Sequence, residues 1–296
     1  MAVKEFARAL VMAVAVLGGL ATVLRPEALS ATPPPPEASS PDFALSGVAR
    51  QGGVIKGQAP GGTRSLLLND RPVALAPGGA FLIAFDRDAP PVAELRAVLA
   101  DGREVRQSLA VAPGHWDVQS VDASITGSAT SEEFKRRRAG ELASIVAARD
   151  RMRPDSSDGW QQDFIWPVVA RISGRFGSQR IYRGTPGSYH SGVDLAAGAG
   201  TTYVAPADGV VILAASAPYT LEGNLLIIDH GMGLNSAFLH SQRLLVKEGD
   251  VVRRGQPIGI VGATGRATGP HLHWGMKWQD ARLDPVPLVR PEKSAR

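Results

Sequence analysis

The stretch Gly269-Pro270-His271-Leu272-His273-Trp274 decides the fold of the second half of this chain. Side chains of an extended strand alternate between its two faces, so His271 and His273 project to one face, and Leu272 and Trp274 to the other. The alternation predicts a β-strand that is apolar on one face and delivers two imidazoles to a single place on the other.

Short apolar and β-branched runs surround this stretch and alternate with glycine-rich turns. They lie at 165–169, 209–213, 224–228, 251–252 and 258–262. Few helical patterns occur after Pro154, and runs of this length and composition are typical of strands. The pattern predicts a compact, mainly antiparallel β domain, in two sheets, over residues 160–290.

Five of the six histidines of the chain lie in this predicted domain. The segment His190-Ser191-Gly192-Val193-Asp194 places His190 and Asp194 on one side if it is extended. A single His-x-His pair, or a lone histidine four residues from an aspartate, occurs by chance on many strands. Both together, with His240 between them in the sequence, indicate a functional site.

The chemistry of these residue types points to a metal. The chain has no cysteine, so a metal ion must be held by His, Asp or Glu. Zinc accepts imidazole nitrogen and carboxylate oxygen, and a catalytic zinc uses three protein ligands and leaves its fourth position to water. Histidines in excess of three can serve as the base and the transition-state stabiliser that amide hydrolysis requires. No glutamate near these motifs offers an alternative base.

The C-terminal half, from Trp166 to Pro285, resembles the lysostaphin or LytM-type family of zinc endopeptidases. The segments that carry the resemblance are GRFG at 174–177, HSGVDLAA at 190–197, VAPADGV at 204–210, IDHG at 228–231, KEGDVVRRGQPIGIVGATG at 247–265, GPHLH at 269–273 and DP at 284–285.

The resemblance implies that His190, Asp194 and His273 bind one zinc ion, whereas His240 and His271 stay unbound and assist catalysis. All five positions are filled. His230 matches no catalytic position of the family, and we expect it to pack or to cap a turn.

Four further residues are candidates for contributions outside the zinc ligands and the catalytic histidines. Asn224 matches a position near the family's site. Phe238 stands where relatives often have tyrosine, so a hydroxyl contribution is absent there. Tyr182 and Arg183 lie in a predicted loop just before the first ligand and, with Asn224, are candidates for the substrate groove; an ordinary surface loop is the competing interpretation.

Residues 42–120 alternate short apolar runs with glycine-rich turns, which predicts a small all-β, sandwich-like module. Its only histidine, His115, has no partner at metal-ligand spacing. A linker at 121–159 follows, in which a capping box at 130–133 and apolar residues at helical spacing predict a helix near 131–152. The basic run at 135–138 on this helix is typical of a solvated helix face, although contact with anionic wall polymer or lipid is the alternative.

The first 31 residues are typical of a signal peptide or an N-terminal membrane anchor. Lys4 and Arg8 precede an uncharged, mostly apolar run at 9–24, and the proline-rich spacer TPPPPEASSP follows at 32–41. We therefore expect an exported protein of the periplasm or cell envelope, with anchoring to the cytoplasmic membrane as an option. The charges are dispersed and sum to only +4, and we expect no nucleic-acid partner.

Together these features predict a zinc endopeptidase that hydrolyses peptide cross-links of bacterial peptidoglycan. From the resemblance, the bond joins D-alanine to diaminopimelate if the host is Gram-negative. One alternative is a non-catalytic LytM-like activator or binding protein for another wall hydrolase. Another is a lipoyl- or biotinyl-type carrier, which the segment EGDVVRRGQPIG suggests but which needs no histidine cluster.

Overall fold

The computed structural model describes residues 42–123 and 131–290, which belong to one compact unit, Ser39–Arg296. The signal or anchor and the spacer predicted at 1–41 lie outside the described residues. Eight strands come before the helix: β1 (Ala44–Ser46), β2 (Val54–Gln58), β3 (Thr63–Leu68), β4 (Arg71–Val73), β5 (Ala80–Ala84), β6 (Val92–Leu99), β7 (Glu104–Ala110) and β8 (Val118–Val121).

Seven of these strands form two small antiparallel sheets, in the orders β1-β2-β5 and β4-β3-β6-β7. Strand β6 alternates exposed and buried residues along most of its length, as expected for a strand with one face in a core. Phe81, Ile83 and Leu95 are fully buried within this module. The module is therefore all-β and sandwich-like, as its turn-punctuated apolar runs predict.

The single α-helix of the described residues, α1, spans Glu132–Asp150. Ser131 caps it, because its hydroxyl accepts a hydrogen bond from the backbone N–H of Phe134 at 3.1 Å. Ile145 and Ala148 form its buried stripe and pack on Leu213, Leu225 and Ile227. No helix in the described part of the chain is long and apolar enough to cross a membrane.

Thirteen strands follow the helix: β9 (Ile172–Gly174), β10 (Gln179–Tyr182), β11 (Thr185–Pro186), β12 (Gly192–Leu195), β13 (Thr202–Val204), β14 (Gly209–Ala214), β15 (Asn224–Asp229), β16 (Leu234–Ser241), β17 (Arg243–Leu244), β18 (Val251–Val252), β19 (Pro257–Ile260), β20 (Leu272–Trp278) and β21 (Ala281–Leu283). Single 3-10 turns lie at Gly159–Gln161 and Val286–Leu288.

An eight-stranded antiparallel sheet dominates this region, in the order β18-β14-β15-β16-β20-β12-β9, with β21 beside the end of β20. One face of the sheet is the core and carries Val193, Phe238 and Trp274, all fully buried. A second sheet, β13-β19-β17, contributes Tyr203, whose ring stacks on Phe238. The opposite face of β14 and β15 is covered by α1, so both faces of these strands are apolar.

A parallel strand pair links the two halves of the chain. Strand β8 pairs with β10 in the register Val118–Gln179 to Val121–Tyr182, and β11 completes this small sheet. The last strand of the N-terminal module thereby borders the segment that leads into His190.

Candidate metal centre

Strands β12 and β20 lie side by side, and their register brings the two histidine motifs together. Asp194 is the Cα partner of His273, and Val193 is the partner of Trp274. Residues paired in this way point to the same face, so Asp194 and His273 share one face while Val193 and Trp274 lie in the core on the other. His271, directly before β20, has the same facing as His273.

His190, Asp194 and His273 converge on one point. His190 Nε2 lies 3.0 Å from Asp194 Oδ1 and 3.0 Å from His273 Nδ1, and His273 Nδ1 lies 2.9 Å from Asp194 Oδ1. These three residues form a group with the composition of a metal site. A tetrahedral zinc with bonds of about 2.0–2.1 Å requires ligand atoms roughly 3.3 Å apart, close to the observed separations.

The hydrogen bonds around His190 test whether this group fits a cation. His190 Nδ1 lies 3.0 Å from the carbonyl oxygen of Arg175, which can only accept, so Nδ1 carries the proton. In neutral His190, Nε2 therefore directs a lone pair at the Asp194 carboxylate. Two acceptors at this distance repel each other unless a proton or a cation lies between them. The donor set fits zinc on this ground.

The same arrangement explains the local pKa values. Burial opposes protonation of His190, but the hydrogen bond and the negative charge of Asp194 outweigh it and raise the pKa of His190. Burial likewise opposes ionisation of Asp194, yet its hydrogen bonds to His190 and His273 lower the pKa of that carboxyl well below its usual range. The pocket therefore stabilises a carboxylate next to positive charge.

His240 reaches this face through a β-bulge near the end of β16. The register with β15 shifts between Asn224, paired with Ser241, and Leu226, paired with Phe238, so β16 holds one extra residue. His240 has φ of 65°, a left-handed conformation that is uncommon for residues other than glycine. Regular alternation would place His240 on the core face with Phe238; the bulge turns it to the face of His273.

His240 and His271 stand next to the three converging residues, each with a fixed tautomer. The His240 and His271 ring centroids are 4.9 Å apart, and His271 Nε2 is 3.7 Å from Asp194 Oδ1. His240 Nδ1 donates to the carbonyl oxygen of Thr264 at 2.9 Å, and His271 Nδ1 donates to that of Gly269 at 2.9 Å. In the neutral state both residues therefore have a free lone pair on Nε2.

Two residues of the motifs lie away from the site. His230 is fully buried, with Nδ1 2.8 Å from the carbonyl oxygen of Asp208 and Nε2 2.8 Å from Ser236 Oγ. Phe238 is fully buried in the core. A tyrosine hydroxyl at position 238 would enter that core, so Phe238 removes nothing from the metal site.

A cavity of about 840 Å³ opens beside His190 and Asp194 and is the structural candidate for a substrate groove. Tyr182 lines it. Arg183 is not among its lining residues; its guanidinium pairs with Asp122 at 2.8 Å. Asn224 does not line it either; its side-chain amide donates to the carbonyl oxygens of Ser241 and Gln242.

Other residues of the site had no signal in the sequence. The carbonyl groups of Arg175, Thr264 and Gly269 fix the histidine tautomers, and a backbone carbonyl has no sequence signature. Asp117 and Gln119 line the groove from the N-terminal module, because β8 pairs with β10.

Comparison with known proteins places this architecture among peptidases. The family model described as peptidase family M23 matches residues 188–285. Peptidoglycan DD-endopeptidase ShyA of Vibrio cholerae is 36% identical over 161 residues, which cover 53% of this chain and 37% of that protein. Peptidoglycan DD-endopeptidase ShyB of the same organism is 45% identical over 102 residues, covering 34% of this chain and 24% of that protein. The chain thus spans 37% and 24% of the length of these two curated relatives.

A solved structure extends the similarity to almost the whole fold. The crystal structure of a peptidase M23 from Pseudomonas aeruginosa superimposes with a TM-score of 0.61 at 30% identity, covering 81% of this chain and 94% of that chain. The match includes both the β module and the region that holds the histidines, since 81% of the chain exceeds either part alone. The solved relative is 30% identical over 94% of its length, and the family model matches residues 188–285. This chain therefore belongs to peptidase family M23.

Proposed function

We propose that this protein is a zinc-dependent endopeptidase that hydrolyses peptide cross-links of bacterial peptidoglycan. The observation that carries the proposal is the convergence of His190, Asp194 and His273 within 3.0 Å, with two further histidines beside them. The names of the V. cholerae relatives support peptidoglycan as the substrate.

In this proposal His190, Asp194 and His273 hold one zinc ion, and His240 and His271 are the catalytic histidines. Bound zinc would supply Lewis-acid activation of the scissile carbonyl and of a water molecule. Because Nδ1 of His240 and of His271 donates to a carbonyl, Nε2 of each is the atom available for proton transfer. One of the two accepts a proton as general base, and the other, when protonated, stabilises the oxyanion.

The proposal includes export of the protein to the periplasm or cell envelope, where peptidoglycan lies. The basic and apolar segment at the N-terminus supports this placement, with anchoring to the cytoplasmic membrane as a variant of it.

The test is mass analysis of muropeptides from purified cross-linked sacculi incubated with the purified protein. A His240→Ala variant, with its zinc content measured, is the control. We expect cross-linked species to disappear only with the unmutated protein, and the products to identify the bond. Unchanged sacculi, with zinc bound, would contradict hydrolysis and favour the activator function.

A further inference from the structure

Lys277 lies on the same sheet face as the histidines. Side chains alternate along β20, so His273, Gly275 and Lys277 point to one face. Lys277 lies four positions beyond His273 along the strand, a distance of about 13 Å. The face that carries the metal centre therefore continues along β20 to a lysine.

Between these two residues the floor of the sheet is nearly free of side chains. Gly275 is the Cα partner of Gly192 on β12 and of Ala237 on β16, so a row of three small residues crosses the sheet. A Cβ added at Gly275 would lie 3.3 Å from the Ser191 carbonyl oxygen and 3.5 Å from His273 Nε2. The His273 ring lies over Gly192, where an added Cβ would be 2.7 Å from Nε2, so the open track toward Lys277 runs over Gly275.

Three basic side chains meet at the end of this track. Lys277 is the Cα partner of Arg282 on β21, so two cations lie directly opposite each other, an arrangement that destabilises a sheet. Arg149 approaches from α1, with Nε 3.3 Å from Asn235 Oδ1. All three line one cavity of about 230 Å³, which also reaches His273. We call Arg149, Lys277 and Arg282 the basic pocket.

The carboxylates near the basic pocket bind groups other than its three basic side chains. Asp280 pairs with Arg71 at 2.7 Å, and Glu222 pairs with Arg138 at 2.6 Å. Asp86 accepts the backbone N–H of Arg282 at 2.8 Å. Within the described ranges, none of the three cations of the basic pocket forms an ion pair with a carboxylate; Arg282 Nη1 donates to the Tyr189 hydroxyl at 3.2 Å. Burial is the main cause that lowers the pKa of Lys277; the positive charges of Arg149 and Arg282 lower it further, against the negative charges of Asp280 and Asp86.

We propose that the basic pocket binds a free carboxylate of the peptide substrate when the peptide lies along the track over Gly275. The inference rests on the proposed function, because it assigns a subsite to that same reaction. A peptide main chain is neutral, so three cations select a side-chain or terminal carboxylate, and arginine binds carboxylates in bidentate geometry. At about 3.3 Å per residue, this carboxylate lies roughly four residues from the scissile bond.

The test is calorimetric binding of a soluble cross-linked muropeptide and of its carboxyl-amidated derivative. The full-length protein carries His240→Ala to prevent turnover, and is compared with the same protein bearing Lys277→Met or Arg149→Met. We expect the parent protein, which carries only His240→Ala, to bind the free-carboxylate peptide about tenfold more tightly than the amidated one. A tenfold difference in affinity is in the range that hydrogen bonds to charged groups contribute. Lys277→Met and Arg149→Met should abolish this preference, and Lys277→Arg should restore it.

Arg136→Met is the matched control, because exposed Arg136 lies on the same helix outside the basic pocket and loses the same charge. It should keep the tenfold preference. Equal affinity of the parent for both peptides, absence of binding, or an equal loss in Arg136→Met would overturn the carboxylate subsite. Because binding is measured without turnover, a preference found in a protein that fails to cleave sacculi would keep the subsite and reject the hydrolase.

Discussion

At the scale of single residues, the four site histidines fall into two sets that differ in their distance from Asp194. His190 and His273 turn a ring nitrogen to Asp194 within 3.0 Å, whereas His271 Nε2 remains 3.7 Å from that carboxylate. His240 lies farther out, with its ring centroid 6.3 Å from that of His273. The geometry therefore separates candidate ligands from candidate proton carriers.

This separation predicts different effects for two substitutions. Asp194→Ala should lower zinc affinity by at least about 100-fold, because the carboxylate is a direct ligand in the proposed site and even outer-sphere changes cost 10- to 100-fold. His271→Ala should keep zinc but lower kcat by about 100- to 10,000-fold, the range of general acid–base catalysis. Zinc content and muropeptide turnover, measured on the same preparations, check both. Loss of zinc from His271→Ala would show that His271 is a ligand.

His230 illustrates a histidine that serves the fold. Its Nδ1 faces a carbonyl oxygen, so Nδ1 donates to Asp208 and Nε2 must accept from the Ser236 hydroxyl. Ser236 in turn accepts from Trp274 Nε1 at 3.1 Å. Protonated His230 cannot accept this hydrogen bond, and burial lowers its pKa from 6.5 to about 4.

The shift predicts a pH-dependent stability. Between pH 6.5 and 4 the unfolded chain binds a proton at His230 that the folded protein does not, so the free energy of unfolding falls as the pH is lowered. Over this whole pH range, the shift at His230 lowers the free energy of unfolding by about 3 kcal/mol. The measurement is urea unfolding at pH 7 and pH 4.5. The free energy of unfolding should fall less between these two pH values in His230→Gln than in the unmutated protein, because glutamine keeps a donor and an acceptor but does not titrate. Identical losses in the two proteins would refute the assignment.

At the scale of elements, α1 supports the bulge of β16 that positions His240. Glu141 on α1 is buried and accepts hydrogen bonds from the backbone N–H and the hydroxyl of Thr220, both at 2.7 Å. Two residues further, the carbonyl oxygen of Glu222 accepts the backbone N–H of His240 at 2.8 Å. The helix thus holds the loop that supports a strained residue, whose left-handed conformation costs of order 1–3 kcal/mol.

Removal of the hydrogen bonds between Glu141 and Thr220 should lower both the stability of the fold and the activity of the site. We expect Glu141→Ala to lower the free energy of unfolding by about 2–4 kcal/mol, because the backbone N–H and the hydroxyl of half-buried Thr220 lose their acceptor. Turnover should fall while zinc content stays unchanged. Urea unfolding and activity are the measurements, with exposed Glu133→Ala on the same helix as the control, expected to change by less than about 1 kcal/mol. A Glu141→Ala effect no larger than the control would contradict the role of α1.

At the scale of the whole molecule, the N-terminal module supports the segment before His190. Arg87 is buried; its Nε donates to the carbonyl oxygen of Gly177 at 3.1 Å and its guanidinium lies 4.7 Å from the Tyr189 ring centroid. The backbone N–H of Gly177 donates to the carbonyl oxygen of His190 at 2.8 Å. An arginine of one half of the chain therefore positions a proposed ligand in the other half.

Arg87→Met should therefore weaken zinc binding without touching a ligand. We expect about a tenfold loss of zinc affinity, in the range for residues that orient ligands, measured by competition with a chelator. Arg106→Met is the matched control, since Arg106 lies in the same module and makes only exposed ion pairs with Glu94 and Glu104. If zinc affinity were the same in both variants, the module would have no part in placing His190.

The sequence alone determined the fold class and the composition of the site. Alternation at 271–274 placed two histidines on one strand face, and the apolar runs around it defined an antiparallel β domain, because both signals are local and repeat with the period of a strand. The segment at 130–133 marked the start of the helix that the structure has at Glu132–Asp150, although the N-cap is Ser131 and Phe134 at N3 cannot complete the predicted capping box.

Tertiary structure decided how these parts meet. The bulge that turns His240, the carbonyl groups that set its tautomer and that of His271, and the burial of Phe238 depend on neighbours remote in sequence. The same holds for Arg183, which pairs outside the groove, and for the basic pocket, assembled from α1, β20 and β21. Local periodicity specifies which face a side chain takes within its own strand; register, packing and charge balance between strands specify what it meets there.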